Sequence, residues 1–127
     1  MTAPQPVREY EVRARSTDVF GRVLCSAREH HFIVDGPVQN GCPGEEVTPP
    51  EAFLAGVASC GVELLHVIAK ADGIPLGRVA ATINATVDRG NQPRPDVTVF
   101  NSVRLRLTLS GTDAARAAAL VEGFKRR

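Results

Sequence analysis

Apolar and polar residues alternate along five stretches of this chain and recur with helical spacing along two others. In "VREYEVRAR" (residues 7–15) Tyr10, Val12 and Ala14 fall on one side and charged residues on the other, and "DVFGRVLCSA" (18–27) and "HHFIVD" (30–35) follow closely. Because successive side chains of a strand point to opposite faces, the spacing predicts a three-stranded meander. A polar, glycine-rich loop, "GPVQNGCPGEEV", leads from it to the long run "TPPEAFLAGVASCGVELLHVIAKADGI" (48–74).

The start of that run is marked for a helix. Thr48 can cap it, Pro49 and Pro50 occupy first-turn positions that need no N–H, and Glu51 stands where a capping box places its acid. Asp72-Gly73 followed by Pro75 stops it, so the helix is predicted from about Pro49 to about Asp72. Val79, Ala81, Ile83, Ala85 and Val87 then alternate with polar partners, as do Val103, Leu105, Leu107 and Leu109, on either side of a loop at 89–96. Each pattern predicts an antiparallel strand with one wet face. A second helix over "TDAARAAALVEGFKRR" begins with Asp113 and ends in Lys125, Arg126 and Arg127, as the helix dipole favours. The order predicts an α+β fold, antiparallel sheets with a long central helix.

That helix is too apolar for one small chain. At 100° per residue, Cys60 shares a face with Phe53, Val57, Leu64 and Val67, while Leu54, Leu65 and Ile68 cover another side. A helix apolar on two sides must be covered on two sides, and a homodimer built around it supplies the cover.

Composition narrows the function classes. A length of 127 residues predicts a single domain over 1–127. With 15 Lys plus Arg against 14 Asp plus Glu, the net charge of +1 gives no field for nucleic acid or an anionic membrane. The longest uncharged part of the apolar run, residues 52–62, falls well short of the roughly 20 residues that cross a bilayer, and the Pro-containing start has no export signal. Three cysteines without a Cys-x-x-Cys spacing fit a reducing cytoplasm better than a disulfide framework or zinc site. His30 and His31 are adjacent, so on a strand they point to opposite faces, and His66 lies about 120° around the helix from Cys60. No metal or other cofactor is expected.

The chemistry centres on Cys60. Its neighbours Ala55, Gly56, Ala58, Ser59 and Gly61 are small, and a glycine inside a helix costs about 1 kcal/mol relative to alanine, so something is expected to approach the backbone closely. That is either a packed neighbouring element or a narrow pocket beside the thiol. A free cysteine is by itself a good core residue, and for chemistry it must become a thiolate. About twelve residues into the helix the dipole is no longer felt, so an arginine or histidine from elsewhere must activate it.

The run "TPPEAFLAGVASCGVELL" resembles the helix signature of the OsmC/Ohr family, the osmotically induced and organic-hydroperoxide-resistance proteins. The upstream "FIVDGPVQNG" is similar to the loop that precedes that helix, and the order of elements agrees from about Tyr10 onward. The resemblance implies an intertwined homodimer with the long helices at its centre. It also implies thiol-dependent reduction of hydroperoxides, preferably organic ones, with Cys60 as the peroxidatic cysteine and a dithiol as reductant. Glu51, a candidate catalytic residue by this resemblance or else a cap alone, stands nine positions before Cys60, as in the broader OsmC-like branch; ten before, where the Ohr branch has the glutamate that pairs with its arginine, this chain has Pro50. The family's arginine matches Arg22 best by position, with Arg13 and Arg15 as competitors. The family's second cysteine usually follows the closing helix, and "EGFKRR" stops where that part of the family fold is expected. A resolving thiol is therefore sought in Cys42, in the "NGCPGEE" loop, or beyond Arg127, and Cys25 is expected in the core. The alternative is an OsmC-like dimer that binds a small apolar or thiol ligand without peroxidase turnover; a merely structural module would seal Cys60 in the core with no cation near it.

Overall fold

The computed structural model describes residues 5–127; residues 1–4, the beginning of the Pro-containing start, lie outside the described residues. The chain divides into two compact units at Ala52 and Phe53. The first unit is an antiparallel meander of β1 (Arg13–Ser16), β2 (Arg22–Ala27) and β3 (His30–Asp35). Its register puts Ala14, Cys25 and Phe32 in one row and Ser16, Val23 and Val34 in the next on the same face. The other face carries Arg13, Ser26 and His31, then Arg15, Leu24 and Ile33, then Arg22 opposite Asp35.

Two of these strands are shorter than the alternation predicts. β1 begins at Arg13 because Arg13 already pairs with Ser26, and β2 turns back after Ala27, so residues 7–12 run past the hairpin with little to pair with. Tyr10 and Val12 are accordingly 86% and 62% exposed. β2 begins at Arg22 because Val19 and Phe20 belong to the preceding turn, closed by the Arg22 N–H on the Val19 carbonyl at 3.1 Å, with Gly21 at φ 79°. Val19 therefore does not share a strand face with Cys25, which is half-buried between Ala14 and Phe32.

A single 3-10 turn, Val38–Asn40, lies in the loop that leads to α1 (Pro49–Asp72). The helix bounds agree with those read from its caps: Gly73 follows in the left-handed region, and the Ile74 N–H returns to the Ala69 carbonyl at 2.8 Å.

In the second unit, α1 from Phe53 onward packs with the hairpin of β4 (Val79–Thr86) and β5 (Ser102–Leu109) and with α2 (Ala114–Lys125). Val79 pairs with Leu109, Ala81 with Leu107 and Ile83 with Leu105, so the alternating apolar residues share one half-buried face. Asp113 caps α2 by accepting the Arg116 N–H at 2.8 Å. The core is Leu65, Ile68, Ala69 and Leu120, with Leu107, Leu109, Val121 and Phe124 against it.

α1 is long and apolar enough to cross a bilayer by length and composition alone, with a mean hydropathy of 1.8 over its most apolar 18 residues. The absence of a long charge-free run pointed the other way. In the second unit the helix buries Gly61, Leu65, Ile68 and Ala69, and 22% of that apolar window is buried. Only one of its two apolar sides is covered: along the other, Phe53, Val57 and Val67 are 63%, 37% and 44% exposed.

Candidate active site

Arg22 and Asp35 sit opposite each other at the ends of β2 and β3, so the sheet register brings them together across thirteen residues of sequence. The guanidinium donates twice to the carboxylate, Nε to Oδ1 at 2.8 Å and Nη2 to Oδ2 at 2.9 Å. Such a fork fixes the plane of the guanidinium as well as its position. Nη2 also approaches Oε1 of Glu45 at 3.4 Å. Nη1 has no protein partner among the described residues, so its two N–H groups are not used in the fork.

Asp35 is fully buried, a position a carboxylate holds only when it is well satisfied. Its Oδ2 also accepts the backbone N–H of Glu45 at 3.0 Å and of Glu46 at 3.1 Å. The hydrogen bond from Arg22, opposed by burial and aided by these two amides, holds its pKa down to about 2. The same pairing raises that of Arg22, which stays charged.

The loop that supplies those amides is held along its length. The Asn40 and Cys42 N–H groups return to the Pro37 carbonyl at 3.0 and 3.3 Å, and Gly44 N–H to the Gly36 carbonyl at 3.2 Å. The Cys42 side chain lies over Gly21 and Gly36. It is half-buried and packed against backbone.

Glu51 is engaged at the start of α1. Its Oε1 accepts the Thr48 hydroxyl at 2.7 Å and the Thr48 N–H at 3.0 Å, which lowers its pKa. This is one half of the expected capping box, with the Thr48 hydroxyl donating to Glu51 instead of accepting an N–H.

Cys60 is an exposed thiol outside any disulfide. Of the two glycines beside it, Gly61 is buried against the Phe124 ring, which a Cβ there would meet at 3.4 Å, an ordinary contact. A Cβ on Gly56 would meet nothing within 4 Å.

Arg22, Cys42 and Glu51 thus belong to the first unit and Cys60 to the second. Arg22 is joined to Asp35 and Glu45, whereas Arg13 is paired at the surface with Glu11 at 2.8 Å and Arg15 is exposed. On the histidines, His31 Nδ1 lies 2.7 Å from Ser26 Oγ. The sequence reading missed Asp35 as the partner of Arg22. The signal available was an aspartate at a strand end opposite an arginine at the neighbouring strand end.

Comparison with known proteins puts this arrangement in context. A family model described as OsmC-like protein matches residues 42–127. No curated protein matches the chain. Among solved structures it is similar to an OsmC-like protein from Mycoplasma pneumoniae, with a TM-score of 0.80 at 13% identity over 94% of this chain and 82% of that one. It is also similar to an organic hydroperoxide resistance protein OsmC from Legionella pneumophila, with a TM-score of 0.71 at 21% identity over 96% and 85%. An organic hydroperoxide resistance protein from Elizabethkingia anophelis matches with a TM-score of 0.74 at 17% identity over 97% and 85%. At these identities the likeness is one of fold. The family match is one of sequence and takes in Cys42, Glu51, Cys60 and the whole second unit, well over half of the residues; this chain belongs to the OsmC-like family.

Proposed function

We propose that the protein is a thiol-dependent peroxidase that reduces organic hydroperoxides through Cys60 in a cytoplasmic defence against oxidative stress. The observation that carries this reading is the exposed, unpaired thiol of Cys60 on the uncovered apolar side of α1 in an OsmC-like chain. Apolar surroundings suit the organic part of a hydroperoxide, and similar folds belong to proteins named for resistance to organic hydroperoxides.

The Cys60 thiolate attacks the terminal peroxide oxygen. An S–O bond forms as the O–O bond breaks, the alkoxide leaves and takes up a proton as the alcohol, and Cys60 becomes a sulfenic acid. One thiol of a dithiol reductant condenses with it, releasing water, and the second thiol of the reductant reopens the mixed disulfide. Arg22, held by Asp35, offers its Nη1 hydrogens to the peroxide oxygen, and Glu51 keeps the start of α1 in place. The working form is a homodimer whose second subunit covers Phe53, Val57 and Val67. The family match, over residues 42–127, runs across the boundary at Ala52, which supports reading the two units as parts of one working domain.

A second reading, a dimer that binds a small apolar or thiol ligand beside Cys60 without turnover, draws on Cys42: this candidate resolving thiol is packed against Gly21 and Gly36. The deciding experiment is stoichiometric consumption of cumene hydroperoxide and hydrogen peroxide by the reduced protein, wild type against Cys60→Ser. Wild type is expected to remove one equivalent, cumene hydroperoxide faster, and the variant none. Equal consumption by the two proteins overturns the peroxidase reading.

A further inference from the structure

We infer that Cys42 is a positioning residue: its side chain, seated over Gly21 and Gly36, locks together the two strand ends that carry Arg22 and Asp35. The inference rests on the proposed role of Arg22 for its bearing on activity; the packing itself involves only the first unit.

Three observations converge on this seat. A Cβ built on Gly21 would run into the Cys42 Sγ and stand 2.7 Å from its Cβ. One built on Gly36 would also run into Sγ and stand 2.9 Å from Cβ. The two glycines therefore have no side chains where Cys42 has one, and three residues share the space of one. Between them, the Gly36 N–H donates to the Gly21 carbonyl at 2.8 Å, tying the chain just outside the Arg22 and Asp35 pair. Finally, the loop that delivers Cys42 is the one whose Glu45 and Glu46 amides reach Asp35, so displacing Cys42 pulls on the carboxylate from both ends.

Size and softness explain the residue type. Sγ meets glycine backbone on two sides, and the hydrogen bond it makes is a long one, to the Asn40 carbonyl at 3.9 Å, too far for a hydroxyl to use well. A small, polarizable thiol fits such a seat. A branched or longer side chain would have to push the strand ends apart, because interiors packed against backbone do not yield by a methyl group without strain. Cys42 cannot leave this seat to resolve a sulfenic acid and still hold Arg22 in its fork, so the structure assigns it to support rather than to the thiol cycle.

The test is the titration of Asp35, followed by side-chain carboxyl NMR on the reduced full-length protein with no peroxide present. In wild type the midpoint is expected near 2. In Cys42→Leu, which overfills the seat, it is expected to move up toward the ordinary 3.8, and in Cys42→Ala, which empties it, in the same direction by less. Gly36→Ala, which fills the seat from the opposite wall, should reproduce the Leu result, and adding Cys42→Gly to it should bring the midpoint back down. A general loss of stability would move the melting temperature without this rescue. If Asp35 titrates at the wild-type midpoint in both folded Cys42 variants, the inference is wrong. Because no peroxide is used, that outcome is separate from any failure of Cys60 to act as a peroxidase.

Discussion

Arg22 and Asp35 share two parallel hydrogen bonds across the ends of neighbouring strands, Nε to Oδ1 and Nη2 to Oδ2, with the carboxylate fully buried and the guanidinium side chain 26% exposed. The buried partner fixes the half-buried one, and the clearest consequences are in acid.

The ordinary carboxyl value of 3.8 lies above the folded value of about 2. Below about pH 4 the unfolded chain therefore binds a proton that folded Asp35 refuses, and the stability contributed by the pair is fully present above that pH. It is lost as pH falls from about 4 through about 2. Acid unfolding followed by circular dichroism should show this loss in wild type, and Asp35→Asn should flatten it. An Arg22→Ala variant should raise the Asp35 midpoint, since the main lowering influence goes while burial stays.

Glu51 can be separated from the chemistry by the helix start. In Glu51→Ala the Thr48 amide loses its acceptor, and its hydrogen exchange should speed up severalfold, whereas Glu51→Gln keeps a carbonyl oxygen and should exchange at close to the wild-type rate. Peroxide consumption that follows the exchange rates across the two variants marks Glu51 as a clamp of the helix. Loss of activity in Glu51→Gln with a normal exchange rate marks the charge itself as necessary.

On the uncovered side of α1, a charge should break the proposed dimer. Phe53→Glu and Val57→Glu should sediment as monomers at micromolar concentrations where wild type sediments as a dimer. A wild-type monomer at high concentration would remove the dimer from the functional reading.

The core of the second unit sets the scale for stability. Leu65, with no exposed surface, should cost about 2–5 kcal/mol on truncation to Ala, read from urea unfolding. Gly111→Ala should cost more than about 1 kcal/mol, because φ there is 76° and a Cβ would stand 2.6 Å from the Gly77 nitrogen.

Where the sequence was legible, the signals were local. Thr48, two prolines, Glu51 and Gly73 mark both ends of α1, and the alternation through Val79 to Ala85 and Val103 to Leu109 places β4 and β5. The first sheet was harder because its strand ends depend on turns. Gly21 adopts a left-handed conformation in the turn that delays the start of β2 to Arg22, and Arg28, which follows its last residue, turns the chain at φ 55° with no turn signature of its own. Cys60 stood out by its small neighbours and the family signature. Arg22 could be reached by position, but Asp35 could be joined to it only through a register that those turns decide. The seat of Cys42 was hidden for a related reason: Gly21 and Gly36 read as flexible turn residues, while in the fold their bare Cα atoms make room for sulfur.

The fork between Arg22 and Asp35 also fixes how far Arg22 can act. A guanidinium locked to a buried carboxylate is a dipole to its surroundings, and the nearby Glu45 offsets it further, so its influence fades within a few ångströms instead of reaching out as that of a bare cation does. Such an arginine steers by touch. It can order an oxygen that arrives within hydrogen-bond range, and it draws no anion from a distance. In the proposed peroxidase that short reach suits an uncharged hydroperoxide, and its reduction is expected to respond only weakly to added salt.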